Sequence, residues 1–206
     1  MIGNSTFNIF LFGATLLLWV GCGTPSKQSN KSIIGPDVTK TIPEENIPAA
    51  TVPTIPNGAI VADFNGDGIP FYTHVKKVDR KQGITTIGFE NNRYHEITLS
   101  EIYGALVTTI NLEGFHKDLL LITAKLKDPN FNKYFLFVLK NGQWKPVMNG
   151  FSIHKNNLTD TLIPIRIDPD NANHLLRHYS VFDLDETSKL GYTWRLLEES
   201  VPIENR

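Results

Sequence analysis

Asp63, Asn65 and Asp67 place a side-chain oxygen at every second position of the run Asp63-Phe64-Asn65-Gly66-Asp67-Gly68. Alternation turns the three oxygens toward one point. Gly66 permits the sharp turn between them, and the carbonyl of Ile69 follows as a backbone ligand. Hard oxygen donors in this order are what a calcium ion takes. The ninth position of the loop is Phe71 and the twelfth is His74, so the closing carboxylate has to come from elsewhere in the chain. Without a metal, the same residues read as an Asx- and Gly-rich β-turn. A second acidic stretch, Asp183-Leu184-Asp185-Glu186, lacks the glycine at the required offset. It reads as a solvated turn that could lend a carboxylate across space.

Few other residues suggest chemistry. His174 and His178, in His-Leu-Leu-Arg-His, have the spacing of two metal ligands on one helix face. A zinc protease requires Glu directly after the first histidine, and here Leu175 stands there. His74, His95, His116 and His154 are scattered. The sequence contains no Gly-x-Ser-x-Gly elbow and no phosphate-binding glycine loop. No catalytic residue is therefore assigned, and no organic cofactor is expected. Trp144, Trp194 and the aromatic stretch 131–137 read first as core and second as the wall of a ligand groove.

Val61-Ala62-Asp63-Phe64-Asn65-Gly66-Asp67-Gly68 resembles the FG-GAP/VCBS repeat, whose loops bind calcium between blade strands. The resemblance covers about ten residues in one copy, whereas a propeller repeats the unit at least about four times. It implies calcium ligation by Asp63, Asn65, Asp67 and Ile69. That family usually carries an acidic residue where this chain has Phe71.

The only cysteine, Cys22, closes an apolar run from Phe7, with Gly21 before it and Gly23-Thr24-Pro25-Ser26 after it. This resembles the lipobox of bacterial lipoprotein signal peptides. The resemblance implies cleavage before Cys22 and a lipid, such as palmitate, on the new N-terminus. Trp19 stands where that pattern usually has Leu, and residues 1–8 lack the Lys or Arg that normally holds such a segment on the cytoplasmic side. A plain secretory signal and a retained anchor are the alternatives. For the latter, the run is shorter than the ~20 residues that a spanning helix needs. With Cys22 acylated, the rest of the chain can form neither a disulfide nor a thiolate metal site.

The 206 residues thus divide into a signal peptide (1–22), a flexible tether (23–56) and a globular domain (57–206). The tether is polar and carries Pro36, Pro43, Pro48, Pro53 and Pro56, a composition that stays extended and unfolded. Ile33-Ile34 or residues 49–55 could instead pack as an edge strand. The domain length suits one cohesive core.

Within the domain the period is that of strands. Residues 59–62, 71–78, 84–89 and 93–99 read as strands, with a turn over Lys76 to Lys81 and Gly83. Residues 119–126 and 134–139 are near-continuous apolar runs, as in central strands covered on both faces. Asn141-Gly142 between apolar arms predicts a type I′ hairpin, and Pro146 marks an edge. Residues 161–167, 179–182 and 192–197 follow as strands. Asp168 as cap and Pro169 at the first position predict a short helix over 168–176, and 100–106 reads as a helical turn. The expected fold is mainly β, with antiparallel sheets in a sandwich or meander and one or two short helices.

The charge balance is 20 basic against 21 acidic side chains, with no basic patch interleaved with aromatics. That argues against nucleic acid as a partner. The expectation is a lipid-anchored cell-envelope protein whose domain faces the periplasm or the exterior. It would bind an envelope or extracellular protein or glycan without catalysis. The alternative is an envelope-anchored hydrolase whose site is assembled from distant loops.

Overall fold

The computed structural model describes residues 54–206, within the compact unit Thr51–Arg206. The signal segment with Cys22, most of the tether, Ile33-Ile34 and the greater part of 49–55 lie outside the described residues. Thr54 and Ile55, which are described, are exposed and form no strand.

The described residues form three antiparallel sheets in chain order. The first holds β1 (Ile60–Ala62), β2 (Phe71–Asp79), β3 (Ile84–Phe89) and β4 (Ile97–Ser100). The second holds β5 (Ala105–Ile110), β6 (Leu119–Lys125), β7 (Phe131–Lys140) and β8 (Gln143–Pro146). Its fifth strand, β9 (Phe151–His154), shares with β8 the edge of β7 opposite β6. The third sheet holds β10 (Ile165–Asp168), β11 (Asn171–Leu184) and β12 (Tyr192–Pro202). The chain is thus mainly β, laid down as consecutive hairpins. Among the described residues the only helical pieces are two single 3-10 turns, Glu90–Asn92 and Lys155–Asn157.

The second sheet is the middle layer, and the two apolar runs explain it. Successive side chains in a strand point to opposite faces. Leu120, Ile122 and Ala124 of β6, with Leu139 of β7, join Phe64, Phe71, Ile87 and Phe89 in one core. Leu119 of β6, with Tyr134, Leu136 and Val138 of β7, joins Phe151, Ile153, Ile165 and Leu175 in the other. A strand that faces two cores has no polar side, so its sequence is apolar throughout.

The turns follow their residue chemistry. Asn141 and Gly142 take φ of 52° and 73° between β7 and β8, as a type I′ hairpin requires. Pro146 ends β8 at the sheet edge. Strand β2 continues through Lys76 to Asp79, so the turn to β3 starts only at Arg80. There the Asp79 carboxylate accepts the backbone N–H groups of Lys81 and Gln82, and Gly83 closes the turn at φ 66°.

Two expected helical segments are not helical. Residues 168–176 are a hairpin turn and the start of β11, with Asp168 opposite Asn171 across Pro169 and Asp170. Asp-Pro opens a type I turn as readily as a helix, because both need the same φ at proline and an Asx acceptor. Here the Asp168 carboxylate accepts from Asp170 N–H and from the Ser200 hydroxyl of β12. The sheet wins because Leu175 is fully buried in the second core only when the chain is extended. Residues 100–106 form a corner in which Glu101 takes φ 61°. Strand β4 likewise starts at Ile97, later than the alternation from Arg93 suggests, after the 3-10 turn.

Candidate functional site

The 63–68 loop leaves β1 and is held by its own side chains. The Asp63 carboxylate accepts Gly66 N–H at 2.8 Å with one oxygen and Gly68 N–H at 2.9 Å with the other. Asp67 accepts Ile69 N–H at 2.8 Å and the Asn65 amide at 2.6 Å. Phe64 anchors the loop from below, fully buried against Phe71 and Trp144. Asp118, remote in sequence, ties down the start of the loop through the backbone of Asp63. It accepts Asp63 N–H at 2.8 Å, while its own N–H donates to the Asp63 carbonyl at 3.0 Å. Asp183 and Asp185 are occupied elsewhere: Asp183 pairs with Arg195, and Asp185 caps a turn through Thr187. Among the described residues, no three of His, Cys, Asp or Glu gather as metal ligands.

The histidine pair does not converge either. Residues 174 and 178 lie on strand β11, not on a helix. Four residues along a strand span about 13 Å, which is too far for one ion. His178 sits between the carbonyl of Ile163 and the carboxylate of Glu198, which also holds Arg166.

The aromatic residues divide into two groups. Trp144 is core: it stacks on Phe89 at 4.8 Å and meets Phe64 edge-on at 5.4 Å. Trp194 instead heads a chain of rings that runs outward. It stacks on His154 at 5.0 Å and meets Phe131 at 4.9 Å and Phe182 at 5.7 Å; Phe182 then stacks on Tyr192 at 5.1 Å. The register explains this line. Phe182 lies opposite Trp194, and Leu184 opposite Tyr192, so all four share one face of the ribbon. Strand β10 pairs only the first half of β11, leaving the far half as a two-stranded ribbon. There Phe182 is 55% exposed, Leu184 78% and Leu190 71%. The alternation Phe182, Leu184 and Tyr192, Trp194 was readable in the sequence. What it could not reveal was the lack of a covering layer.

Two of the open clefts on the described surface carry cationic side chains on their walls. One, of about 680 Å³, is walled by Lys76, Arg93, His95 and Glu96. Lys76 already pairs with Glu96 and also reaches Asn92. The other, of about 460 Å³, has Arg80, Tyr103, Lys125, Leu126 and Phe131 on its walls. No sequence pattern marks it, because its residues come from three separate turns and strand ends.

Titration shifts reflect local structure. His154 is buried, and desolvation lowers its pKa; Lys155 adds to this and Asp128 opposes it. Its Nδ1 accepts the N–H of Asn156. The Ser200 hydroxyl, and then the Asp170 N–H, hold the Asp168 carboxyl below its usual range. The Thr187 hydroxyl and N–H do the same for Asp185. These shifted groups serve the separate turns that they close. No family model matches this chain, and no curated protein or solved structure matches it either.

Proposed function

We propose that this chain is a lipid-anchored protein of the bacterial cell envelope whose β-domain is a non-catalytic binding module. In this reading, the lipid sits on Cys22 and residues 23–56 carry the domain away from the membrane surface. The observation that supports a binding role is the open ribbon face. Phe182, Leu184 and Tyr192 leave an apolar and aromatic strip in contact with water, and the turn that closes the ribbon exposes Leu190 as well; exposed apolar patches are where proteins meet partners. The partner is an envelope or extracellular protein or glycan. The hydrolase alternative needs acid and base groups converging on one cleft. His154, Asp168 and Asp185 do not favour it, since each is engaged in its own turn.

Calcium would bind at Asp63, Asn65, Asp67 and the Ile69 carbonyl, and there it would have to take over oxygens that now accept backbone N–H groups.

Anchoring is tested by expressing the full chain and a Cys22→Ser variant with a clickable palmitate analogue. The full chain should label and sediment with membranes, whereas Cys22→Ser should do neither. Equal, unlabelled sedimentation of both would overturn the lipoprotein reading.

A further inference from the structure

We propose that the cleft between the β2–β3 turn and the β6–β7 corner binds an acidic sugar, a uronate unit of a polysaccharide. The proposal rests on the reading of the domain as a binding module, and it adds to that module a ligand site separate from the ribbon strip.

Charge is the first argument. Arg80 comes from the turn after β2, and Lys125 ends β6. Both side chains are exposed, and among the described residues neither makes a hydrogen bond or an ion pair. The cleft walls contain no carboxylate. The nearest acidic residues in sequence, Asp79 and Asp128, turn into their own loops, where they accept N–H groups of Lys81, Gln82 and Asn130. Two cations left unneutralised at one opening favour an anion. Arginine suits a carboxylate best, because its planar fork can donate two parallel bonds. The larger cleft lacks this property, since its Lys76 already has Glu96.

The second argument is the wall between the cations. Tyr103, Leu126, Pro129 and Phe131 give it an apolar surface, and Asn132 adds an amide that can donate and accept. Its volume of about 460 Å³ lies within the range of small-ligand sites. A pyranuronate combines what these walls complement: a ring with C–H faces that lie on aromatic side chains, hydroxyls for an amide, and a carboxylate at fixed distance from the ring.

The third argument is rigidity. Tyr103 N–H donates to the Lys125 carbonyl and Lys125 N–H to the Gly104 carbonyl, both at 2.8 Å. Ile102 N–H donates to the Gly83 carbonyl at 2.8 Å. The corner is thus tied to both sheets. The Tyr103 ring lies over Gly83 so closely that a Cβ there would meet its Cζ and hydroxyl at 3.0 Å. Gly83 therefore serves twice, through its φ of 66° and by making room for the ring. A site formed before binding loses less entropy on binding.

The same pairing favours a sugar over an acidic peptide. Peptides gain affinity by adding a strand to an open edge. Here Lys125 is paired with Asn132, and Phe131 with His154, so strands already flank the cleft. Recognition falls to side chains.

The test titrates the full-length protein in detergent by calorimetry with trigalacturonate, neutral trigalactose and triglutamate. Trigalacturonate should bind, trigalactose should bind at least tenfold more weakly, and affinity should fall as salt rises. Arg80→Gln and Lys125→Gln should each weaken binding about tenfold, and Lys125→Arg should retain most of it. Unchanged melting points would show that these exposed substitutions leave the fold intact. No binding of trigalacturonate, or binding indifferent to both glutamine variants, overturns the proposal. Triglutamate binding as tightly as trigalacturonate would transfer the site to acidic peptides. Partner capture by the ribbon strip is read separately with Leu184→Ser and Leu190→Ser, so a failed cleft and a failed binding module give different results.

Discussion

Two aromatic groups of similar make-up meet different fates in this chain. Phe64, Phe71, Phe89 and Trp144 close on one another beneath the 63–68 loop, with the three phenylalanines almost completely buried. Phe131, Trp194, Phe182 and Tyr192 make ring contacts at comparable distances, yet the line ends in water. The residues do not cause the difference; the number of layers does. The first group lies between two sheets, whereas the outer half of the β11–β12 ribbon has no sheet across from Phe182 and Leu184. Aromatic contact thus builds a core only where a second layer excludes water. Elsewhere it makes a stiff apolar surface.

That contrast can be broken most sharply at Phe64. Phe64→Ala removes a fully buried ring and should cost about 3–5 kcal/mol. For a domain of this size that lowers the melting point by on the order of 10 °C. Phe182→Ala, with similar ring contacts but half the side chain in water, should cost several-fold less in the same thermal melt. Equal losses would mean that the ribbon is as much a core as the loop's underside.

A smaller effect is expected where the loop holds itself. Asp63→Ala leaves the N–H groups of Gly66 and Gly68 without their acceptor, at a cost of about 1 kcal/mol in a largely solvated turn. The melt should be recorded in calcium and in chelator. An equal fall in both marks a turn stabilised by hydrogen bonds alone. A fall seen only with calcium would assign the loop to a metal, since binding to the folded state raises its melting point.

His154 links the ribbon to the middle sheet, and its titration tests that joint. Burial lowers its pKa in the folded state. The unfolded chain therefore binds the proton first as pH falls from 7 through 6.5, and stability should drop over that window. Asp168 and Asp185 have lowered carboxyl pKa values; their stabilisation is lost only at more acidic pH, below about 4. His154→Gln should flatten the slope of melting point against pH between 7.5 and 5.5. An unchanged slope would place the responsible group elsewhere.

These contrasts also show what a sequence can reveal. The all-β class, the central strands at Leu119–Lys125 and Phe131–Lys140, and the Asn141-Gly142 hairpin were legible because each depends on residues adjacent in the chain. The stretch 168–176 reads as helix, but its local signal, Asp-Pro followed by polar residues, suits a cap and a turn equally. Burial of Leu175 against a distant strand decides between them. The role of Asp118 at the loop and the meeting of Arg80 with Lys125 depend on contacts between remote segments, for which single-sequence spacing carries no signal. The exposed ribbon lies between these cases: its alternation is visible, but whether anything covers it is not.

The smallest effect on stability is expected from the residues with the greatest consequence for the proposed binding role. Leu184→Ser and Leu190→Ser replace side chains already 78% and 71% exposed, so each should change stability by no more than about 0.5 kcal/mol. Such a change barely moves a melt, and this makes the pair useful. If the strip is a binding face, partner capture by the full chain should fall in the double variant while the melt stays level. The neighbouring Asp183–Arg195 pair on the opposite face provides the control. Asp183→Ala should leave capture intact, because side chains alternate across a strand and Asp183 faces away from Phe182 and Leu184. Loss of capture in Asp183→Ala as well would point to the ribbon's shape rather than its apolar face. A double variant that melts several degrees lower would show that Leu184 and Leu190 help hold the turn.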